Sequence, residues 1–218
     1  MMMKQERFTD LDRIPHLNLT DRLRPPMAQL SADFDAVRSK FRPYSFDETV
    51  ILESEANAPS TLSSTYQVID VLGWSEQSIE LESRLSATTS WIKSFTEGPV
   101  KARITREEAG SGGAWHKHYS EEPGAASSRN VFLHVPLMTD ENVIFGIRNQ
   151  PGLTPDTFWQ HYAAGEAWIF NSGGFHTVQN KGKVDRCHLY IVISADDPVF
   201  KDVLADAQRS YYGPVIGG

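Results

Sequence analysis

The chain has 218 residues, of which 40% are hydrophobic and 22% charged, and carries a formal net charge of -7. This is ordinary globular composition, which excludes disorder, collagen and coiled coil, and the length suits one domain. One cysteine, Cys187, rules out a disulfide framework and a thiolate zinc site, and a negative balance without a basic run gives a nucleic acid no electrostatic footing.

No stretch approaches the ~20 apolar residues of a membrane span. The start, MMMKQERFTDLDR, is polar and lacks the apolar core of a signal peptide. The expectation is a cytoplasmic protein with neither a membrane nor a nucleic-acid partner. Nothing in the sequence sets the oligomeric state.

The first third, 1–99, reads as a helical accessory segment. Ser31 is placed to cap a helix over 32–42, with Asp33 and Asp35 in its first turn and Arg38, Lys40 and Arg42 towards its end. Phe34, Val37 and Phe41 form its apolar face, and Pro43 stops it. The small polar stretch 57–65 reads as a loop. A second helix is predicted over 78–95, because Leu81, Leu85, Thr88, Ile92 and Phe95 recur at helical spacing before Gly98-Pro99.

From Val100 the period changes to two. VKARITR alternates an apolar and a charged face, and AWHKHY, NVFLHVPL, NVIFGIR, EAWIF, HTVQN and HLYIVIS follow as short runs rich in β-branched or aromatic residues. Such a series over 100–194 predicts a β sandwich or barrel. The tail, 195–218, returns to helix, with Asp197 as cap, Pro198 in the first turn, and Val199, Phe200, Val203, Leu204 and Ala207 on one face. The last residues, YYGPVIGG, read as irregular.

Six of the seven histidines fall between positions 116 and 188. His116 and His118 are two apart, so in a strand both imidazoles face one way, which suits a divalent first-row metal as well as a solvated surface strand. In GEAWIFNSGGFHTVQN, a glycine-rich turn leads directly into His176 at a strand start. Arg186 begins another strand, where its planar fork either takes an anion inside a barrel or lies on the surface among Lys181, Lys183 and Asp185. His134 shares a face with Phe132 and Pro136, either as a hydrogen-bonded core residue or as a pocket contact to an anion.

Taken together, His118, HVPL at 134–137, GEAW at 165–168, HTVQN at 176–180 and RCHL at 186–189 resemble the aspartyl/asparaginyl β-hydroxylase family. These are Fe(II)- and 2-oxoglutarate-dependent oxygenases with a double-stranded β-helix (jelly-roll, cupin-like) core. The resemblance covers about 100–194. It implies His118 and His176 as iron ligands, and Arg186 with help from His134 as the holders of the 2-oxoglutarate carboxylates. It further implies hydroxylation of an unactivated C–H bond, with O2 consumed and succinate and CO2 released. The implied substrate is an amino acid, free, peptidyl or carrier-bound.

The sequence departs from the family in places. Tyr119-Ser120 follows His118, so the usual His-x-Asp carboxylate is missing. Some family members lack it as well. A second register takes His116 as the first ligand with His118 in place of the aspartate, whereas Trp115, three residues before His118, matches the family's hydrophobic position and favours His118. The family's arginine two residues before the HVPL histidine is Phe132 here, with Arg129 nearby.

Two other readings stay open. Gly110, His116-x-His118 and Glu122, followed by Gly165, Gly173, His176 and Asn180, fit the cupin motifs apart from Asn171 in place of a proline. That reading makes a metalloenzyme of His116, His118, Glu122 and His176 without 2-oxoglutarate, but leaves HVPL and Arg186 unexplained. A non-catalytic barrel binding a small ligand is the other. Trp115, Tyr119, Trp159 and Trp168 are candidate pocket walls, and 119–129 is a candidate lid.

Overall fold

The computed structural model describes residues 16–44, 50–52, 66–73, 75–113, 115–118, 130–148, 157–170 and 175–212. The elements run β1 (His16–Asn18), α1 (Thr20–Leu23), α2 (Met27–Val37), β2 (Arg42–Pro43), β3 (Val50–Leu52), β4 (Gln67–Leu72), α3 (Glu76–Leu81) and α4 (Ser86–Lys93). There follow β5 (Val100–Glu107), β6 (His116–His118), β7 (Asn130–Met138), β8 (Val143–Arg148), β9 (Phe158–Gln160), β10 (Trp168–Phe170), β11 (Phe175–Asn180), β12 (Arg186–Ser194) and α5 (Phe200–Tyr212).

The strands form two antiparallel sheets. One has seven strands in the order β1-β10-β7-β12-β5-β4-β2, the other five in the order β3-β6-β11-β8-β9. From β5 to β12 the chain passes repeatedly from one sheet to the other. The result is the double-stranded β-helix, a jelly roll, with helices against the larger sheet.

Alternation along each strand divides the molecule into two interiors. On β12, Cys187, Leu189, Ile191 and Ile193 face the helices. They pack there with Ala102 and Ile104 of β5, Leu133 and Val135 of β7, Leu30, Phe34 and Val37 of α2, and Phe200 and Leu204 of α5. The opposite faces of the same strands look into the space between the sheets. Phe132, Val143, Phe145, Ile147, Tyr162, Phe170 and Val178 form a second, aromatic core there.

The helical segment differs from expectation in its boundaries. α2 begins at Met27, directly after Pro25-Pro26, which places Ser31 inside the helix rather than at its cap. Proline fits a helix start because its missing N–H has no intrahelical partner there. The helix ends at Val37, and a 3-10 turn, Arg38–Lys40, leads into β2. Pro43 disfavours helical geometry at Arg42, which pairs with Val68 as strand instead. The stripe from Leu81 to Phe95 is buried throughout, but it is carried by α3, a 3-10 turn (Glu82–Leu85) and α4 rather than by one helix.

The first third also contributes strands. β4 pairs with β5 and β1 with β10, extending the larger sheet on both sides. In β4, Val68, Ile69, Asp70 and Val71 are all buried. A strand covered on both faces shows no clean alternation, which hides it from a period-two reading. No helix among the described residues is long and apolar enough to cross a membrane. The stretches 57–65, 119–129, 171–174 and 213–218, and with them Tyr119, Glu122, Arg129 and Asn171, lie outside the described residues.

Candidate metal and anion site

β6 and β11 lie side by side with His116 directly opposite His176. Their ring centroids are 4.3 Å apart. His176 is buried, and Phe170 packs against it at 4.6 Å. The approach to this pair is fixed by Thr177, whose hydroxyl donates to the Gly113 carbonyl at 2.6 Å, and by the Gly113 N–H, which donates to Val178 O at 2.9 Å. These bonds hold the segment that leads into β6. His118 lies two positions further along β6, opposite Val50. Among the residues whose side chains are described, which do not include His118, no three of His, Cys, Asp or Glu come together as a metal site.

His134 lies deeper. It is buried among Phe145, Phe170, Tyr190 and His188, with centroid separations of 5.2, 4.9, 5.2 and 5.0 Å. His188 sits within hydrogen-bond distance of the Thr105 hydroxyl, 2.6 Å from Nδ1. Burial first, then the charges of Arg186 and His134, push His188 well below the ordinary histidine range. It is therefore a neutral ring at physiological pH.

Arg186 begins β12 and is 2% exposed, which excludes the surface reading of this residue. Its guanidinium lies over the Phe145 ring at 5.1 Å, so Phe145 touches both Arg186 and His134. The described residues also supply Arg186 with a carboxylate, because Nη1 donates to Oε1 of Glu107 at 3.1 Å. Glu107 is the residue opposite Arg186 in the β5–β12 register. Burial raises its carboxyl pKa, and the charge of Arg186 works against that rise.

Glu107 is the residue of this buried end that sequence reasoning missed. The signal was present in VKARITRE, where Arg103, Thr105 and Glu107 share one face. A charged face on a strand ordinarily meets solvent, but here it meets the smaller sheet. Arg103 is accommodated by Asp70, 3.7 Å from its Nε, and by the Tyr44 ring at 4.9 Å.

Two candidate pocket walls are corrected by the same alternation. Trp115 precedes an inward histidine and so faces outward. Trp115 and Trp159 pack together at 5.6 Å over Gly146, on the face of the smaller sheet opposite Phe145 and Ile147. A Cβ at Gly146 would lie 2.6 Å from the Trp159 ring. Arg148 stacks on Trp115 from that outer face at 4.0 Å. Trp168 does face inward, where it stacks on Tyr162 at 4.9 Å as part of the aromatic core.

Asn180 fastens the turn before Arg186 rather than lining the metal end. Its side-chain amide donates to Val184 O at 2.9 Å and Glu108 O at 3.2 Å, and its Oδ1 accepts from the Gly182 N–H. Cys187 faces the helix-side core, where burial pushes its thiol up to about 12, so it is not a nucleophile at neutral pH.

The interior thus has two chemically distinct ends. A histidine pair marks one, a buried guanidinium the other, and His134 lies between them. Two facing imidazoles are borderline ligands suited to iron, zinc or nickel. The guanidinium retains one buried nitrogen, Nη2, without a hydrogen-bond partner among the described residues, so an acceptor group fits beside it.

No family model matches the chain, and no curated protein does. Among solved structures, it is similar to a Pseudomonas putida prolyl-4-hydroxylase at 13% identity, over 85% of this chain and 95% of that one, with a TM-score of 0.47. It is also similar to an oxidoreductase of the 2OG-Fe(II) oxygenase family from Burkholderia pseudomallei, at 15% identity over 76% and 79% of the two chains, with a TM-score of 0.44. A cupin domain from Bordetella pertussis aligns at 18% identity over 44% of this chain and 83% of that one, with a TM-score of 0.31. What the site can do follows from its own residues.

Proposed function

We propose that the protein is an Fe(II)- and 2-oxoglutarate-dependent dioxygenase that hydroxylates an unactivated C–H bond of an amino acid or amino-acid residue. The observation that carries this reading is the direct cross-strand pairing of His116 and His176 within a jelly roll. His116, His118 and His176 hold the metal, and Arg186 with His134 holds the cosubstrate. When bound, iron(II) with 2-oxoglutarate and O2 supplies the oxidising power for hydroxylation, with release of succinate and CO2.

The chain's own contribution is binding, orientation and exclusion of water. The two histidines face each other from paired strands, so little side-chain freedom is lost on binding a metal. Phe170 shields His176, and the aromatic wall formed with Phe145 and Tyr162 keeps the interior dry. In that low-dielectric space a hydrogen bond from Arg186 to a bound acceptor counts for more than on the surface.

Anaerobic titration with iron(II) and then 2-oxoglutarate tests this reading. The weak visible charge-transfer band of the chelate is expected. It should vanish in His176→Ala and weaken in Arg186→Ala, and amino-acid substrates can then be screened by succinate release. Iron binding without the band would overturn the reading.

One observation favours a second reading. Because Glu107 already partners Arg186, a buried arginine at this position does not by itself require an anionic cosubstrate. A cupin-type metalloenzyme using His116, His118, Glu122 and His176 without 2-oxoglutarate accounts for the pair as structural. Iron binding with no band, together with loss of iron in Glu122→Gln, is the outcome it expects.

A further inference from the structure

The Arg186–Glu107 pair is incomplete in a specific way. Nη1 and Oε1 bond to each other, while Nη2 of Arg186 and Oε2 of Glu107 are both buried and have no hydrogen-bond partner among the described residues. One is a donor and the other an acceptor. Each belongs to a group already joined by the Nη1–Oε1 bond, so the two atoms are parts of one buried polar pair. Buried polar atoms left in this condition are costly unless a ligand or water satisfies them.

The charges around the pair limit what that end group can be. Arg186 is already neutralised by Glu107. A bare carboxylate would satisfy Nη2 but would bring a second negative charge beside Glu107 in a dry interior. Three of the other titratable groups facing the pair, Tyr66, Tyr162 and His188, offer no cation to offset it. Tyr66, before β4, and Tyr162 are buried phenols whose pKa values burial raises above the ordinary range. His188 is a neutral ring, and His134 packs against it.

We propose that Arg186 and Glu107 together form a donor–acceptor site for a neutral end group, either a primary carboxamide or a carboxyl that enters with its proton. The oxygen of that group accepts from Nη2, and its N–H or O–H donates to Oε2. Resting on the dioxygenase reading, this makes Glu107 the specificity-determining residue for the distal end of the 2-oxo acid cosubstrate. A cosubstrate ending in a carboxamide fits directly. 2-Oxoglutarate fits only with uptake of one proton.

Calorimetry on the manganese(II)-loaded protein tests this with two probes, 2-oxoglutarate and its 5-amide, 2-oxoglutaramate, between pH 6 and 8.5. In the wild type, the amide should bind with little pH dependence. 2-Oxoglutarate should take up about one proton and lose about tenfold in affinity per pH unit once Glu107 is ionised in the free protein. The amide should therefore be preferred by about tenfold or more at the top of the range. Glu107→Gln, which keeps the shape of the side chain, should remove the proton uptake and reverse the preference towards the dicarboxylate.

Tighter binding of 2-oxoglutarate with no proton uptake, unchanged in Glu107→Gln, would overturn the inference and leave the dioxygenase reading intact. Amide binding that needs no metal, with no chelate band for either probe when iron(II) replaces manganese(II), would sink the dioxygenase reading and leave the donor–acceptor site standing. Failure of both probes to bind would overturn both. The wild-type pH dependence stands as evidence even if the variant does not fold.

Discussion

His16 shows how much a single buried ring can contribute. It pairs with Phe170 across β1 and β10 and so faces the space between the sheets. Its Nε2 lies 3.4 Å from the Phe158 carbonyl, which can only accept, so that nitrogen carries the proton and Nδ1 accepts from the Tyr162 hydroxyl at 2.6 Å. Burial pushes the ring down to about 4, against the opposing effect of the Phe158 hydrogen bond. Between its ordinary value of 6.5 and that value, the unfolded chain binds the extra proton. The stability contributed by the neutral ring is therefore complete above pH 6.5 and is lost as the pH falls towards 4, by roughly 3 kcal/mol. His188, shifted in the same direction, adds to the slope. Urea midpoints measured from pH 7 to 4.5 should fall steadily, and His16→Gln should make that fall shallower. An unchanged slope in the variant would assign the acid sensitivity to other groups. The sequence shows His16 standing apart from the other six histidines, and nothing local reveals its partners, which come from residues more than a hundred positions away.

Among the elements, α5 shows what was legible and what was not. Asp197 was readable as its cap, and Oδ1 does accept from the N–H groups of Val199 and Phe200, each at 3.0 Å. Its other oxygen accepts from Glu97 at 2.9 Å and Gly98 at 2.7 Å, joining the segment after α4 to the start of α5. Burial works against the charge on this carboxyl, but the four N–H donors outweigh it and hold the pKa below the usual range. Asp197→Ala should cost at least the ~1–2 kcal/mol of a lost cap, because two further N–H groups lose their acceptor. Asp197→Asn should cost less. Urea unfolding of both variants checks the order, and equal stability of Ala and wild type would rule out the four-bond role. Apart from β9, the strands of 100–194 were legible for the same reason as the cap, since alternation and turn residues are local. β1, β2, β3 and β9 were not, because these short segments carry no run bounded by turn residues and take their identity from a neighbouring strand.

At the scale of the whole molecule, the two interiors separate scaffold from chemistry. The helix-facing core is almost wholly aliphatic and aromatic, while the space between the sheets also holds histidines, arginines and acids. Ile191→Ala, at a fully buried position of the helix-facing core, should cost about 2–5 kcal/mol in urea unfolding while leaving iron affinity unchanged. A loss of iron affinity in the folded variant would show that the two interiors are coupled. By itself the sequence determined the kind of element over most of the chain and a β sandwich or barrel, because hydrophobic period and turn chemistry are written in adjacent residues, while the jelly-roll class was what the family resemblance implied. It also brought His116, His118, His134, His176 and Arg186 forward as candidates, through residue type and spacing. Only the tertiary structure decided which face of each strand is inside. The charged face of β5 reads as a solvent face until a second sheet covers it, and the partner of Arg186 is set by antiparallel register with a strand 79 residues away. Period two names two faces but not which one is buried, and an ion pair between distant strands leaves no local trace.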